Sequence, residues 1–413
     1  MKHVGIVGGG IIGLSSAYYL QQAGYQVTIF DQTVIADGCS YGNAGMIVPS
    51  HIIPLAQPGM IAKGLRWMLD SKSPFYVKPR LNADLMKWGW LFYKHSTEKH
   101  VEASIPALRD ISLLSKTLYQ QMADTLDMGW HERGLLMLFK TPSAAHEMQH
   151  EADVANAAGI EAQLLNPDQV QSLEPDVRVT VAGAVYYPGD AQVVPTQVMS
   201  SLITHLKQSG VTFKEAKEVT GFTRQGSRVT AIETTAGAFP VDEVVIAGGA
   251  WSSEIVKQLQ LSLPLQGGKG YSFMLKDVKQ NVRVPAIMLE ARATATPMGG
   301  DLRFAGTMEI AGTDMSVNMN RVQGIAESIN QYYPDIPVQL PAKNQVWKGL
   351  RPCSPDGLPY LGRLNNYENV VIATGHGMMG LSLGPATGKL VAEVIADQPL
   401  SMSLTAFAPN RFD

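Results

Sequence analysis

A glycine turn near the N-terminus is the segment of this sequence most clearly suited to binding a charged ligand. Residues 8–13 read GGGIIG and fit G-x-G-x-x-G, directly after the apolar run 4–7 and before a predicted helix over 14–23. In such a turn the first glycine permits the bend, the second lets the backbone approach a pyrophosphate, and the third allows the helix to pack closely. Asp31 follows at the end of the next apolar run, where a carboxylate can accept hydrogen bonds from ribose hydroxyls. Together these features predict a dinucleotide-binding site.

A second turn of the same pattern lies close to the C-terminus. Residues 375–380 read GHGMMG, between an apolar run over 370–374 and a predicted helix over 381–396. No further strand and acidic residue follow, so we do not expect a second complete dinucleotide unit. Backbone N–H groups at such a helix N-terminus suit an electron-rich oxygen or a flavin edge. A plain tight turn between strand and helix is the alternative.

The composition excludes several classes of protein and partner. The 413 residues include 33 Lys and Arg against 36 Asp and Glu, a net charge of −3, which argues against a nucleic-acid-binding protein. Two cysteines, Cys39 and Cys353, are too few for a disulfide framework or a cysteine-rich metal site, so we predict no metal and a reducing compartment. No stretch of about 18 uninterrupted apolar residues occurs, which predicts a cytoplasmic protein without a spanning helix.

The segment 58–93 interleaves aromatic with basic side chains. Its aromatic and basic members are Trp67, Phe75, Tyr76, Trp88, Trp90, Phe92, Tyr93, Lys63, Arg66, Lys72, Lys78, Arg80 and Lys87. Such a mixture can dock on a bilayer surface, so peripheral contact with the inner face of the cell membrane is one interpretation. An amphipathic helix pair packed on the core is the interpretation that we favour.

The elements that position these residues form two kinds of sheet. Short apolar runs far apart in the sequence predict one parallel sheet, and short β runs within 269–309 predict a second, mainly antiparallel sheet. The apolar runs begin at Val4, Gln26, Val244 and Val370. The stretch 61–126 has mainly helical spacing. We therefore predict a mixed α/β (α+β) fold, with a Rossmann-like dinucleotide-binding domain on the parallel sheet and a substrate domain on the mixed sheet. The predicted bounds are 1–80, 185–260 and 345–413 for the first domain, and 81–184 and 261–344 for the second.

Several longer motifs, taken in their order, carry a family resemblance over nearly the whole chain. They read GIVGGGIIGLSSAYYL, SYGNAGMIVPS with the later AQPG, VVIAGGAWSS, GGKGYS, GLRPCSPDGLPYLG and VVIATGHGMMGLSLGPATGK. The chain resembles the D-amino-acid oxidase superfamily of FAD-dependent oxidoreductases, most closely its bacterial D-amino-acid dehydrogenase branch. The resemblance implies that the first glycine turn binds FAD non-covalently and that the reductant is the substrate itself.

The resemblance also implies which residues surround the cofactor. The first turn would face the FAD pyrophosphate and Asp31 the adenosine ribose, although a glutamate is commoner in the family at that position. The loop from Ser40 to Met46 would line the ribityl chain and the N5 edge of the flavin, and Val219 would contact adenine through its backbone. The second turn would donate N–H groups to the flavin C2 carbonyl, where negative charge develops on reduction. The predicted set is Gly8, Gly10, Ile11, Ile12, Gly13, Asp31, Gln32, Ser40, Asn43, Ala44, Gly45, Met46, Val219, Gly249, Trp251, Gly377, Met378, Met379 and Gly380.

Three side chains are candidates for contact with the substrate. Arg351 stands in the motif Gly-Leu-Arg-Pro, whose arginine, by resemblance, grips the substrate carboxylate through a planar and permanently charged fork. Tyr271 is a candidate hydroxyl partner, with a core tyrosine as the alternative, and His51 would face the substrate pocket from just after the flavin loop. Arg303 is interpreted as a strand residue that pairs elsewhere, and His376 as a turn residue rather than a base.

The reaction implied by the resemblance is the oxidative deamination of a D-amino acid. A hydride leaves Cα for flavin N5, the imino acid hydrolyses to a 2-oxo acid and ammonia, and the electrons pass to a quinone-type acceptor. No side-chain base is required if the amine enters neutral, and no Ser-His-Asp or paired-carboxylate arrangement is evident in the sequence. Some related amine oxidases attach their flavin through a cysteine in this region. We predict instead that Cys353 is a free thiol.

Two other functions stay open at this point. One is an oxidase or dehydrogenase of glycine, sarcosine or a cyclic imino acid such as D-hydroxyproline. The other is a flavin-binding electron-relay subunit without a substrate of its own. An arginine in the position of Arg351 argues against the second alternative, because a relay subunit needs no anchor for a carboxylate.

Overall fold

A computed structural model of the chain describes residues 1–35, 38–68, 72–78, 80 and 82–413, without the side chains of residues 65 and 66. The predicted basic side chain of Arg66 therefore lies outside the described part. The helices are α1 (Ile11–Gln22), α2 (Met60–Trp67), α3 (Ala83–His95), α4 (Glu98–Ala123), α5 (Pro142–Ala157), α6 (Pro167–Leu173), α7 (Pro195–Gln208), α8 (Ser252–Lys257), α9 (Met319–Tyr332) and α10 (Gly384–Ile395). The strands are β1 (His3–Val7), β2 (Gln26–Phe30), β3 (Met46–Ile47), β4 (Phe75–Val77), β5 (Leu135–Phe139), β6 (Gln163–Leu165), β7 (Gly183–Tyr187), β8 (Ala191–Gln192), β9 (Thr212–Lys214), β10 (Val219–Gln225), β11 (Arg228–Thr234), β12 (Gly237–Pro240), β13 (Glu243–Ile246), β14 (Gln266–Leu275), β15 (Ala286–Met288), β16 (Ala293–Met298), β17 (Asp301–Ile310), β18 (Trp347–Cys353), β19 (Tyr360–Arg363) and β20 (Val370–Thr374).

The first sheet builds the dinucleotide-binding half of the molecule. Its strand order is β19-β20-β13-β1-β2-β9, and β19 runs antiparallel to β20 while the other neighbours are parallel. Strand β1 lies in the middle, with β2 on one side and β13 on the other. The prediction of one parallel sheet assembled from four distant apolar runs is thus confirmed. The short edge strands β9 and β19 extend the sheet, and their sequences alone do not indicate that place.

Helices α1 and α10 lie side by side on this sheet, and their backbones come close together. A Cβ placed on Gly388 would lie 2.4 Å from the carbonyl oxygen of Ser15, and one placed on Gly384 would lie 2.8 Å from the Ile11 side chain. Both helices bury nearly all of their faces, because neighbouring helices cover the side that the sheet does not. Part of the high glycine content therefore serves helix packing rather than ligand contact.

The second sheet is large and mixed. Its order is β18-β14-β17-β16-β15-β5-β7-β6, and β4 pairs with β17. Most neighbours are antiparallel, whereas β15 runs parallel to β5 and β4 parallel to β17. Helix α9 packs on one face of this sheet over an apolar core that includes Phe273, Phe304 and Ile329. The prediction of a mixed, mainly antiparallel sheet is confirmed. Two strands of this sheet lie at the predicted domain bounds: β7 spans the bound at 185, and β18 begins just after the bound at 345. The bounds themselves stay predictions.

Strand β4 departs from the helical expectation for the stretch 61–126. Its three residues, Phe-Tyr-Val, pair with residues 308–310 of β17. Aromatic and β-branched side chains fit a pleated surface well, so pairing with a distant strand outweighs the local helical spacing here. The rest of the stretch follows the expectation, since α2, α3 and α4 account for most of its described residues.

The helices that the structure describes do not include one with the length and hydropathy needed to cross a bilayer. Helix α4, with 26 residues, carries charged side chains along its length and contains Pro106. Its buried face packs against α10.

A large cavity separates the parallel sheet from the mixed sheet. The carboxyl ends of β1, β2, β13 and β20 open into it from one side, and strands β14 to β18 form part of the opposite wall. In open α/β sheets ligands bind at the carboxyl ends of the strands, so the topology places the candidate site here.

Candidate active site

The cavity has a volume of about 900 Å³ and is elongated across the two halves of the molecule. This volume is at the upper end of the range for small-molecule sites, roughly 300–1,000 Å³. The first glycine turn lines it on the side of the parallel sheet, and Arg351 lines it on the side of the mixed sheet. A cavity of this extent suits a dinucleotide together with a second, smaller molecule.

The first glycine turn leaves no room for side chains where the backbone is tight. Gly8 has a φ of +114°, and a Cβ on it would lie 2.4 Å from the carbonyl oxygen of Ala247. A Cβ on Gly13 would lie 1.9 Å from the carbonyl oxygen of Gly8, so α1 can approach β1 only with glycine at this position. At Gly10 the space beside the backbone is open, with the Ser40 hydroxyl at 3.6 Å as the nearest atom. The turn therefore offers a cradle at the N-terminus of α1 that fits a pyrophosphate.

Asp31 stands at the end of β2, beside this cradle. Its Oδ2 accepts a hydrogen bond from the Gly9 N–H at 2.8 Å, and its Oδ1 accepts one from the Thr33 N–H at 2.9 Å. These bonds fix the carboxylate against the turn, where it lines the cavity together with Gln32 and Val219. The remaining lone pairs of the carboxylate are available to a ribose hydroxyl.

The loop from Ser40 to Met46 is held from several sides. The Ser40 hydroxyl accepts the N–H of Ile11 at 3.1 Å, and the Asn43 side chain accepts the N–H of Gly45 at 2.9 Å. Arg303, on β17, donates through Nη1 to the carbonyl oxygens of Tyr41 at 3.0 Å and Asn43 at 2.6 Å. Burial lowers the pKa of Arg303 to about 10. The interpretation of Arg303 as a strand residue that pairs elsewhere is thus accurate, and its partners are carbonyl oxygens of the loop from Ser40 to Met46.

The second glycine turn forms a short 3-10 segment over Gly377–Met379, and helix α10 begins at Gly384, later than expected. Gly377 has a φ of +54°, and no atom lies within 4 Å of the place where its Cβ would stand. The same open space exists at Gly249, which follows β13 and accepts a hydrogen bond from the Thr374 hydroxyl at the end of the neighbouring strand β20. Two glycines that face open cavity, with N–H groups of the turn nearby, fit the flat edge of a flavin ring.

His376 lies inside this turn and is buried. Its Nε2 is 3.0 Å from the Thr387 hydroxyl, and its Nδ1 has no hydrogen-bond partner in the described part of the chain. Burial lowers the pKa of His376 to about 3, so the ring is neutral at ordinary pH. Its interpretation as a turn residue rather than a base stays a prediction.

Arg351 extends over the face of the mixed sheet that forms the cavity wall. The guanidinium is half-buried, lines the cavity and donates through Nη1 to the Thr307 carbonyl oxygen at 2.8 Å. A Cβ on Gly270 would lie 2.1 Å from Nη1, so the absent side chain at 270 creates the space for this fork. Burial lowers the pKa of Arg351, and no carboxylate of the described residues lies within salt-bridge distance of it.

Tyr271 lies on the neighbouring strand β14, with its side chain on the opposite face of the sheet from Arg351, although part of the residue still lines the cavity. Because β14 and β18 pair in regular register, Arg351 shares a face with Gly270, and Tyr271 points the opposite way. The Tyr271 hydroxyl donates to the Glu309 carboxylate at 2.6 Å and accepts the Asn318 N–H at 3.0 Å. Its hydrogen-bonding capacity is taken up inside the protein, which favours the core alternative. A role for Tyr271 toward the substrate remains an untested prediction.

His51 lines the cavity and is linked to a buried carboxylate through one serine. Ser50 Oγ is 3.1 Å from His51 Nδ1 and 2.5 Å from Asp190 Oδ2, and the Ser50 N–H donates to Asp190 Oδ1 at 3.1 Å. Burial, with a contribution from Arg292, lowers the pKa of His51 to about 4. Burial raises the pKa of Asp190 to about 7, although the Ser50 hydrogen bonds oppose the shift.

A cluster of charged groups closes the far wall of the cavity. Glu151 on α5 and Arg292 before β16 both line it, and Arg292 lies 3.7 Å from Glu147. Burial raises the pKa of Glu151 to about 7, and Arg292 opposes the shift. Met137 of β5, Tyr187 of β7 and Ile287 of β15 line the same cavity.

Most of the residues predicted from the sequence meet at this one cavity. Those that line it are Gly8, Gly10, Ile11, Ile12, Asp31, Gln32, Ser40, Asn43, Ala44, Met46, His51, Val219, Gly249, Trp251, Tyr271, Arg351, Gly377, Met378, Met379 and Gly380. Gly13 and Gly45 lie behind the wall, where they allow close backbone contacts. The sequence analysis missed Ser50, Asp190, Glu151 and Arg292, because no local pattern shows that these polar residues turn inward.

Cys353 lies away from the cavity. It is buried, and a Cβ on Gly268 would lie 2.9 Å from its Sγ. Burial raises the pKa of the Cys353 thiol to about 11, so the thiol is not ionised. Cys353 is also not among the residues that line the cavity.

A Rossmann-like turn and a second glycine turn at one cavity define a dinucleotide-dependent oxidoreductase, and Arg351, which has no carboxylate partner among the described residues, lines the same cavity. The chain belongs to the family of FAD-dependent oxidoreductases, which matches residues 3–394, and FAD is therefore its cofactor. Similar relatives are the D-amino acid dehydrogenases of Vibrio atlanticus, 30% identical over 399 residues and 95% of each chain, and of Neisseria meningitidis, 28% identical over 418 residues, 98% of this chain and 99% of the relative.

Solved structures share the fold over the full length. Glycine oxidase from Geobacillus kaustophilus superposes with a TM-score of 0.81 at 25% identity and covers 100% of both chains. L-proline dehydrogenase from P. horikoshii superposes with a TM-score of 0.79 at 18% identity, covering 100% of this chain and 97% of the other. The second likeness shows the fold alone.

Proposed function

We propose that this protein catalyses the FAD-dependent oxidative deamination of D-amino acids, giving an imino acid that hydrolyses to a 2-oxo acid and ammonia. Relatives with the name D-amino acid dehydrogenase align over nearly the whole of both chains, which supports the substrate class. The observation that carries the proposal is the Arg351 guanidinium, which faces the cavity without a carboxylate partner among the described residues.

The state of Arg351 is what a carboxylate-binding group requires before its ligand arrives. A cation that has lost part of its hydration needs a counter-charge, and a substrate carboxylate supplies one. The planar fork of arginine pairs with a carboxylate through two parallel hydrogen bonds, which fixes orientation as well as position. Since Nη1 is already bonded to the Thr307 carbonyl, the fork is held in place before the substrate binds.

When bound, FAD supplies the group that accepts the two electrons and the hydrogen from Cα. Arg351 anchors the carboxylate, so the Cα–H bond is presented in one orientation. The apolar walls from β5, β7 and β15 receive the substrate side chain and exclude water. The N–H groups around Gly377, which lines the cavity, would stabilise negative charge that develops on the cofactor.

The alternative substrates are small or cyclic amines. The similarity to glycine oxidase keeps glycine and sarcosine in the comparison. Met137, Tyr187 and Ile287 line the same cavity as Arg351 and offer mostly apolar surface to a substrate side chain. This lining favours amino acids with a side chain.

Anaerobic reduction of the flavin tests the function directly. Purified holoprotein is mixed without oxygen with D- and L-amino acids, glycine, sarcosine, D-proline and D-hydroxyproline, and the loss of oxidised-flavin absorbance is followed. Bleaching by D-amino acids with side chains, at rates far above their L-enantiomers, is the expected result. Bleaching by glycine or sarcosine alone, or by none of the panel, would contradict the proposal, and the last result would favour an electron-relay subunit.

The proposal includes non-covalent binding of FAD. The position of Cys353 away from the cavity lining, with a neutral thiol, supports it. Acid or denaturant should release all of the flavin from the chain, which absorbance of the filtrate measures.

We also propose that the electrons leave to a quinone-type acceptor at a membrane surface. Helix α3 supports this part of the proposal, because it has two apolar faces. Leu85, Trp88 and Phe92 pack inward, whereas Met86, Trp90 and Tyr93 are 64%, 58% and 61% exposed on another side. The exposed lysines Lys87 and Lys94 flank this outer face, as in helices that lie on anionic bilayers. A low yield of peroxide in air, with fast reduction of a soluble quinone, is the expected behaviour.

A further inference from the structure

Asp190, Ser50 and His51 form a series of linked polar residues at the cavity that the function above does not use. Asp190 lies in the turn between β7 and β8 and is 1% exposed, yet it has no ion-pair partner among the described residues. A buried carboxylate without a counter-ion is costly, so it is retained where it does chemistry or is protonated. At the other end of this series of hydrogen-bonded residues, His51 Nε2 has no described hydrogen-bond partner, and the ring lines the cavity.

We propose that Asp190, Ser50 and His51 form a proton relay that removes the ammonium proton of the substrate before its Cα hydrogen leaves. The inference rests on the proposed amino acid oxidation. An amino acid in neutral solution carries an ammonium group, which cannot support departure of a hydride from Cα until it loses a proton. The relay supplies an acceptor for that proton inside the cavity.

The distances from Ser50 Oγ to His51 Nδ1 and to Asp190 Oδ2 allow the three residues to hold their hydrogens in two arrangements. With Asp190 ionised, the Ser50 hydroxyl donates to Oδ2 and the His51 Nδ1–H donates to Ser50 Oγ, which leaves a lone pair on Nε2. With Asp190 protonated, its O–H donates to Ser50 Oγ, the Ser50 hydroxyl donates to Nδ1, and Nε2 carries the hydrogen. Each hydrogen bond exists in both arrangements and only its direction changes.

The transfer itself moves three protons and no electrons. His51 Nε2 takes a proton from the substrate ammonium nitrogen, His51 Nδ1 releases its proton to Ser50 Oγ, and Ser50 releases its own to Asp190 Oδ2. The ammonium becomes an amine, the carboxylate becomes a carboxylic acid, and the imidazole begins and ends neutral. His51 contacts the substrate, whereas Ser50 and Asp190 act through it.

The charged groups around the three relay residues direct the proton to Asp190. Arg292, beside β16, interacts with His51 and disfavours a positive charge on it. Lys116 of α4 interacts with Asp190 and favours its ionised form, whereas burial favours the neutral form and raises its pKa to about 7. Tyr187 of β7 lies near both Asp190 and Glu151 of α5, and burial raises its pKa, so it stays neutral.

The dependence of kcat/KM on pH tests the relay in the FAD-loaded enzyme, with the fastest D-amino acid of the panel above. For the wild type, kcat/KM should rise through about pH 7 as Asp190 ionises. In Asp190→Asn and Ser50→Ala only substrate that is already neutral reacts, so the rise should move to the pKa of the free ammonium group. Near pH 7 we expect a loss of about 100-fold, as for removal of a general base, which shrinks toward wild type in alkaline solution.

Glu393→Gln is the matched control. Glu393 accepts the N–H of Ser401 at 2.8 Å and its hydroxyl at 2.5 Å, the same pair of bonds that Asp190 accepts from Ser50, and it lies outside the cavity lining. This variant should keep the wild-type pH profile. A constant loss at every pH in Asp190→Asn and Ser50→Ala, or an unmoved rise in kcat/KM, would overturn the relay.

A spectroscopic measurement without substrate separates failure of the relay from failure of the proposed function. In holoprotein with ring-¹⁵N histidine, His51 should stay neutral yet change tautomer, from Nδ1–H at about pH 8 to Nε2–H at about pH 6, as Asp190 takes up a proton. Asp190→Asn or Ser50→Ala should abolish the change, and His51→Asn identifies the signal. One fixed tautomer in the wild type refutes the relay even if D-amino acids reduce the flavin. A tautomer change in a protein that no D-amino acid reduces leaves the relay standing and refutes the function.

Discussion

The proposed function depends on Arg351, a cation that has no carboxylate partner among the described residues. Its guanidinium is bonded to the Thr307 carbonyl and otherwise faces the cavity. Arg351→Ala removes two charge-assisted hydrogen bonds to the carboxylate, which are made in the ground state as well as the transition state. We expect KM to rise by two to three powers of ten, for a loss of about 3–4 kcal/mol, with a smaller change in kcat. Arg351→Lys should recover only part of this, since an ammonium lacks the planar fork. Wild-type steady-state kinetics in the alanine variant would refute the assignment.

Gly270 offers a way to disturb Arg351 without replacing it. Its absent side chain leaves the space that Nη1 occupies, because a Cβ there would lie 2.1 Å away. The atom that must move is the end of a flexible side chain, so Gly270→Ala should displace the guanidinium and leave the fold intact. We expect KM for the D-amino acid to rise about tenfold or more with FAD content unchanged.

Gly300→Ala is the matched control for that substitution. Gly300 lies in the turn before β17, and no atom stands within 4 Å of its Cβ position. Its steady-state constants should equal those of the wild type. Equal KM values in the two alanine variants would show that the Arg351 fork does not need the space at position 270.

The residues near the cavity differ in how far the sequence could reveal them. The glycine turns and Arg351 lie in local patterns whose spacing reflects a chemical need, so they could be predicted. Asp190 follows a glycine in a short turn, the usual place for an exposed aspartate, and only the pairing of distant segments buries it against Ser50. The two faces of β14, which separate Tyr271 from Arg351, become visible only once the register with β18 is known.

At the scale of elements, the loop from Ser40 to Met46, which we expect to line the flavin, is held by β17 of the opposite sheet. Arg303 reaches across and donates to the carbonyl oxygens of Tyr41 and Asn43. Arg303→Lys keeps the charge but offers a single ammonium, which cannot reproduce the geometry of the guanidinium toward both oxygens. We expect the Kd for FAD to rise about tenfold, for the loss of one charge-assisted hydrogen bond, measured by quenching of free flavin fluorescence.

A surface arginine provides the comparison for this loop. Arg178 is exposed and pairs with Asp335 at 3.0 Å, far from the cavity lining. Arg178→Lys should bind FAD as the wild type does. If both lysine variants bind FAD equally well, Arg303 does not position the loop.

Helix α3 carries the prediction about membranes. Its outer face holds Met86, Trp90 and Tyr93 at the spacing of adjacent turns. The double variant Trp90→Ala with Tyr93→Ala should lose most of its binding to vesicles of phosphatidylglycerol and phosphatidylcholine, measured by sedimentation. High salt should weaken binding of the wild type, because the flanking lysines attract anionic headgroups.

Leu113→Ala serves as the control on α4. Leu113 is 41% exposed on that helix, so its removal also reduces apolar surface. Vesicle binding should persist in this variant. Absence of wild-type binding at low salt, or equal loss in both variants, would contradict a docking role for α3.

At the scale of the whole molecule, buried acids make stability depend on pH in an unusual direction. Glu174 is fully buried and accepts the N–H groups of Arg283 and Val284, and burial raises its pKa to about 7. The folded chain then binds more protons than the unfolded chain between the ordinary pKa of 4.5 and about 7. Glu174 therefore makes its full contribution to the free energy of unfolding below the ordinary pKa of 4.5, and this contribution is lost as pH rises to about 7.

Urea unfolding of the wild type and Glu174→Gln at several pH values measures this contribution. The variant should show a less negative slope of the unfolding free energy against pH between about pH 5 and about pH 7. His51 and His376, whose pKa values are lowered, act in the opposite direction, but they are common to both proteins and cancel in the comparison.

Glu290→Gln is the matched control for the slope. Glu290 also accepts two backbone N–H groups, from Lys140 and Thr141, but its pKa is lowered, so it stays ionised throughout this range. Its replacement should shift the curve without changing the slope above about pH 5. A wild-type slope in Glu174→Gln would show that Glu174 ionises normally in the folded chain.

The overall architecture could be predicted from the sequence because apolar runs and turns are local signals. The parallel sheet follows from four such runs, and the mixed sheet from the β runs within 269–309. Strand β4 could not be predicted in the same way, since its three residues become a strand only by pairing with β17. The bounds of the two domains are obscured for the same reason, because β7 and β18 join a sheet built mainly by other parts of the chain.

The order of the strands in the parallel sheet also bears on biosynthesis. The neighbour of β1, β13, follows it only about 240 residues later, and β20 and α10 come later still. Gly388 of α10 packs against Ser15 of α1, and the turn around Gly377 lines the cavity. A nascent chain on the ribosome therefore holds an unfinished FAD site until the segment from Gly377 to Gly388 has emerged, so we expect FAD to be taken up only after this segment is synthesised.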